Sequence, residues 1–73
     1  MFSGRLIMKF KLKDSVIVLA KGNKFNKDIF AEIIEINENY IVKPIEFEAD
    51  SFGVEEQYLT IIPKILFGHI KRV

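Results

Sequence analysis

The stretch that decides the fold is Ile29-Phe30-Ala31-Glu32-Ile33-Ile34-Glu35-Ile36-Asn37-Glu38-Asn39-Tyr40-Ile41-Val42-Lys43. Its first half supports two readings. As a helix it takes Asn26 or Asp28 as N-cap and puts Phe30, Ile33 and Ile34 on one face. That helix would be only about ten residues long, which is marginal without strong packing. As a strand it has four Ile in eight positions, a content suited to a pleated surface. Asn37-Glu38-Asn39 then follows directly as a turn. Neither period is clean, because Ile33 and Ile34 are adjacent. The strand is the preferred reading, with a bulge or burial on both faces explaining the doublet; the helix stays the alternative. Tyr40-Ile41-Val42-Lys43 is a strand by composition. Pro44 cannot donate to a ladder and marks an edge or a bend, past which Ile45-Glu46-Phe47-Glu48 is expected to continue the strand.

Outward from this hairpin, Lys9-Phe10-Lys11-Leu12-Lys13 alternates between charged and apolar. A period of two puts Phe10 and Leu12 on one face of a strand and three lysines on the other. Asp14-Ser15 are turn formers, and Val16-Ile17-Val18-Leu19 is a β-branched run. Ala20 to Asp28 is polar, holds Gly22 and two Asn, and reads as a loop. Ala49-Asp50-Ser51-Phe52-Gly53 reads as a second loop. Val54 begins a short element, Glu55-Glu56-Gln57-Tyr58 forms one helical turn, and Leu59-Thr60-Ile61-Ile62 is a last strand stopped by Pro63. The tail, residues 64–73, keeps Ile65, Leu66, Phe67, Ile70 and Val73. It is expected to pack on the domain beside Phe2, Leu6 and Ile7, or to serve as an association surface. Short strands with turn signals at this spacing predict a mainly β domain of at least four strands, a small barrel or sandwich.

The chain, 73 residues with close to half of them apolar, has the size and core of one domain. Residues 1–8 read as an N-terminal extension, with Met8 an alternative start. With no Cys, disulfides, thiolate metal sites and a Cys nucleophile are excluded. No apolar stretch approaches the ~20 residues that span a bilayer, so the expectation is a cytoplasmic protein with no membrane partner. Abundant Ile and Lys reflect AT-rich coding, which is found in many bacteria and phages. Charge is segregated. Residues 1–27 carry seven bases and one acid, residues 28–63 nine acids and one base, and residues 64–73 three bases, for a total of +1. Such a layout holds the chain together or presents two surfaces to two partners.

The segment Phe10-Lys11-Leu12-Lys13-Asp14-Ser15-Val16-Ile17-Val18 resembles the opening strand of small SH3-like barrels, where an apolar residue, a turn with Asp and two alternating Val recur. Ala31–Ile36, the Asn37–Asn39 turn and Tyr40–Lys43 resemble the central hairpin of that fold. Val54–Ile62 resembles its closing segment, a short helical turn feeding a last strand. The likeness spans residues 10–62 and is one of fold rather than family. Lys13 stands where Gly usually precedes the Asp. The central turn has no Gly, which argues against a two-residue primed turn. SH3-like barrels bind peptides, nucleic acids, ribosomes or other proteins, many as accessory pieces, so the resemblance fixes no function.

Side chains that carry chemistry are few. His69 is the only histidine, and a metal site would need it together with carboxylates; a surface or packing role is the plainer reading. The acids alternate with apolar residues or sit in turns, as solvated faces do, and no nucleophile or base accompanies them. No catalytic residue, metal or cofactor is expected. The leading expectation is a non-catalytic protein-interaction module, an accessory protein of a bacterium or phage, with Glu46, Glu48, Asp50, Phe52, Glu55, Glu56 and Tyr58 as contact surface. Tyr40, Phe47, Phe52 and Tyr58 are mostly core by this reading, and the absence of Trp disfavours polyproline ligands. The alternative is a nucleic-acid-binding barrel. It would use Lys9, Lys11, Lys13, Lys21, Lys24, Lys27, Lys71 and Arg72 on phosphates and Phe25 for stacking, although lysines also protect edge strands. A third class is a structural homodimer joined through apolar termini, against a monomer. A patch of one sign supports one of the first two readings; interdigitated signs support neither.

Overall fold

The computed structural model describes residues 9–70, apart from the side chains of Lys64 and Phe67. The 1–8 extension, with Phe2, Leu6 and Ile7, lies outside the described residues, as do Lys71, Arg72 and Val73. Five antiparallel strands form one curled sheet, a half-barrel: β1 (Ser15–Val18), β2 (Ile29–Ile36), β3 (Tyr40–Pro44), β4 (Phe52–Val54) and β5 (Leu59–Ile61), in the order β4-β3-β2-β1-β5. Two 3-10 turns, Ala20–Gly22 and Glu56–Tyr58, and a single helical turn at Lys64–Phe67 complete it. The protein is therefore mainly β, and Ile29–Ile36 is a strand, not a helix.

The Ile33-Ile34 doublet is a bulge. Ile33 pairs with Val42 and Glu35 with Ile41, so Ile34 has no partner. Before it the odd residues Ile29, Ala31 and Ile33 point inward and are buried. After it the inward face passes to the even positions, where Ile36 packs on the core while Ile34 is exposed. One extra residue thus explains a pattern that no single period fits. The inward set from β2 meets Val16 and Val18 of β1, Tyr40 and Val42 of β3, Val54 and Leu59, with Phe10 closing one end. Phe10 and Tyr40 meet edge to face, their centroids 5.7 Å apart.

Three expectations need correction. Lys9–Lys13 is not a strand. The Asp14 carboxylate accepts from the Lys11 N–H at 2.9 Å, and the Asp14 N–H donates to the Lys11 carbonyl at 3.1 Å. That closes a turn with Lys13 at φ 73°. Phe10 is consequently buried while Leu12, two residues on, is 57% exposed. Ile45–Glu48 does not extend β3. The Ile45 N–H donates to the Phe30 carbonyl at 3.0 Å and the chain then bends away. Because Ala31 faces Pro44 in the preceding, non-hydrogen-bonded pair, the Pro44 nitrogen points away from β2, beyond the residues β4 reaches. Phe52 and Gly53 belong to β4 rather than to a loop. In the tail, Ile65 and Leu66 are exposed, at 78% and 36%; the packing expected against Phe2, Leu6 and Ile7 involves residues outside those described.

Candidate functional site: a cleft along the free edge of β4

The loop between β1 and β2 is folded around one side chain. The Asn23 amide donates to the carbonyls of Val18, Leu19 and Lys27 at 3.0–3.2 Å, and its oxygen accepts from the Phe25 N–H at 2.7 Å. Asp28 accepts from the Ala20 N–H at 2.9 Å across the loop mouth, instead of capping a helix. This arrangement seats the Ala20–Gly22 turn against the Glu56–Tyr58 turn. The Leu19 N–H donates to the Tyr58 carbonyl at 2.8 Å. Gly22 comes so close that an added Cβ would lie 2.5 Å from Tyr58 Cβ.

Beside that junction lies a cleft of about 540 Å³. Lys21, Gly22 and Lys24 line it from the loop, the run from Asp50 to Glu55 lines it from β4 and its flanks, and Tyr58 joins the two. The structure brings together Asp50, Phe52, Glu55 and Tyr58 of the expected protein-contact set. Glu46, Glu48 and Glu56 stay outside. Glu56 instead accepts from the Tyr40 hydroxyl at 3.1 Å, while that hydroxyl accepts from the Phe10 N–H at 3.3 Å. Burial raises the Tyr40 pKa above its ordinary 10.0; the hydrogen bond to Glu56 and its charge push the same way, against the Phe10 N–H.

Two residues of the expected nucleic-acid set, Lys21 and Lys24, line the same cleft. The lining is thus mixed in sign, neither purely acidic nor purely basic, and as a patch it favours neither reading. Lys9, Lys11 and Lys13 are exposed on the opening turn, outside the cleft. Phe25 is half-buried, with its ring edge to face with Phe47 at 5.1 Å and Phe52 at 6.2 Å. The Lys24 and Lys27 ammonium groups lie over the Phe25 and Phe47 rings at 5.8 and 5.7 Å. Sequence reasoning missed Gly22, Asn23, Asn39, Ser51, Gly53 and Val54. Nothing local in the sequence reveals that Gly22 meets Tyr58, 36 positions away.

Among the described residues no three His, Asp or Glu side chains are grouped to hold a metal ion, and no helix is long and apolar enough to cross a membrane. No family model matches the chain, and neither does a curated protein or a solved structure.

Proposed function

We propose that this chain is a non-catalytic protein-interaction module on an SH3-like half-barrel, and that the β4 cleft takes a peptide segment of a partner protein. The strand order, with a 3-10 turn leading into the last strand, supports the SH3-like reading. The observation that carries the function is the cleft itself. It offers the aromatic side chains Phe52 and Tyr58 between two bases, Lys21 and Lys24, and two acids, Asp50 and Glu55. Aromatic anchors framed by charge are the usual makeup of a peptide-binding surface. The lining is not the patch of one sign expected for this reading, which therefore rests on the aromatic anchors; the charges would select a segment that carries both signs, and the setting expected for it is cytoplasmic. The test is selection from a displayed random octapeptide library on the intact chain, followed by titration of the winners against wild type and Tyr58→Ala. The expected result is enriched peptides with an apolar residue flanked by opposite charges, bound at least tenfold more weakly by Tyr58→Ala. No enrichment, or winners indifferent to Tyr58, would refute the reading.

A second reading, nucleic-acid binding, is favoured by one observation: Lys21, Lys24 and Lys27 share a loop with half-buried Phe25, and the Lys24 and Lys27 ammonium groups lie over the Phe25 and Phe47 rings. It requires affinity for single-stranded oligonucleotides that falls steeply with salt and is lost on changing all three lysines to Glu. Binding that ignores salt, or none at low salt, removes it.

A further inference from the structure

We propose that the cleft captures its peptide by strand addition: the partner segment pairs through its main chain with the free edge of β4, with Gly53 as the pairing residue. The inference rests on the peptide-binding reading and deepens it.

Hydrogen-bond alternation carries the argument. The Ile45 N–H bond to Phe30 fixes 45/30 as a hydrogen-bonded pair, which makes 43/32 hydrogen-bonded and 42/33 not. The N–H and C=O of Val42 therefore point toward β4, where Val42 faces Phe52, Ile41 faces Gly53 and Tyr40 faces Val54. Phe52 and Val54 spend their main-chain groups on β3, and those of Gly53 point to the other side. Among the described residues that side is a sheet edge, since β4 pairs there with β3 alone. Six consecutive residues of β4 and its flanks, 50–55, line the cleft. Gly53 itself is exposed, and an added Cβ would meet only Ile41 Cδ1, at 3.6 Å.

An extended peptide in this cleft would exchange two hydrogen bonds with Gly53 and set alternate side chains toward Phe52 and Tyr58. Its flanking charges fit the lining: a base toward Asp50 and Glu55, an acid toward Lys21 and Lys24. The charged rim also guards an edge that would otherwise pair with any strand.

One substitution and one peptide series test this with the peptide selected above. Gly53→Pro removes the outward N–H at an edge position where Pro is tolerated, and should keep the circular dichroism spectrum while binding about tenfold more weakly, the value of one net hydrogen bond. If Gly53→Pro does not fold, the peptide series decides. N-methylation of the peptide at alternate residues should weaken binding to wild type about tenfold at one parity and not at the other. Tolerance of N-methylation at every residue, or a folded Gly53→Pro that binds as well as wild type, would overturn strand addition and leave the peptide site standing. A failed selection would instead bring down the peptide reading on which it rests.

Discussion

Gly22→Ala adds one methyl group at the junction that shapes the cleft. A Cβ there would lie 2.5 Å from Tyr58 Cβ and 2.7 Å from Tyr58 Cγ. Those atoms are the root of the tyrosine side chain, so no rotamer change relieves the contact; the two 3-10 turns must part. Gly22 does not occupy the left-handed region, so alanine suits its backbone. Without the clash the substitution would stabilise by about 0.4–1 kcal/mol through the unfolded chain. Against this, overpacking costs about 1–3 kcal/mol. Separating the turns also weakens the Leu19 to Tyr58 hydrogen bond at 2.8 Å, worth about 0.5–1.5 kcal/mol. The net loss is about 1–3 kcal/mol, a large part of the stability of so small a domain. At ~4–8 °C per kcal/mol for this size, Tm falls by roughly 5–20 °C. Thermal and urea denaturation of a double-mutant cycle checks the cause. Tyr58→Ala keeps the offending Cβ, so Gly22→Ala remains costly in that background. Tyr58→Gly removes it, and there Gly22→Ala becomes neutral or mildly stabilising. A cost that persists unchanged beside Tyr58→Gly would refute the steric account.

Tyr40→Phe removes a hydroxyl that links three segments, and should cost about 1–2 kcal/mol by leaving the buried Phe10 N–H without its acceptor. The raised Tyr40 pKa adds a pH signature. The unfolded chain loses its phenol proton first, so wild-type stability falls as pH climbs past about 10, and Tyr40→Phe lacks that contribution to the fall. Lys13→Gly relieves a side chain held at φ 73° and should raise stability by roughly 0.5–1 kcal/mol in urea denaturation; a loss would show that Lys13 makes a compensating contact. Ile65→Lys, at a residue 78% exposed, should change stability by no more than about 0.5 kcal/mol in dilute protein. A wild-type Tm that climbs with concentration, and a variant Tm that does not, would mark the tail as a dimer contact.

Four of the five strands were legible because each has its own local signature: the β-branched runs at 16–18 and 59–61, and the Ile-rich stretch from 29 to 42; β4, three residues around Gly53, read as a loop. The Ile33-Ile34 doublet announced a bulge or burial on both faces, and the structure shows the bulge. The opening segment was misread because five alternating residues carry less weight than one Asp. The Asp14 carboxylate takes the Lys11 N–H and turns the chain before any partner strand is met. The resemblance to SH3-like barrels had already marked Lys13 as standing in a glycine's place, and its positive φ gives the physical reason. The cleft was half legible. Its acids and aromatics are adjacent in sequence, from Asp50 to Tyr58. The lysines of its other side come from a loop whose fold depends on Asn23 and on contact with Tyr58, which no local pattern encodes.

The segregated charges of the sequence meet at this cleft. Lys21 and Lys24 belong to the basic stretch 1–27, and Asp50 and Glu55 to the acidic stretch 28–63; folding sets them around one cleft. All four are exposed, so their mutual attraction is that of charges in water, about 1 kcal/mol even at 4 Å, and it is screened beyond a Debye length of about 8 Å at physiological salt. Attraction so weak contributes little to holding the sheet, whose core is apolar throughout. It is strong enough to orient an approaching segment of unlike charges and to repel one of reversed order. If the proposed peptide site is right, charge reversal at Lys21 and Asp50 should therefore change the rate and direction of peptide capture in stopped-flow binding, while leaving the melting temperature nearly unchanged.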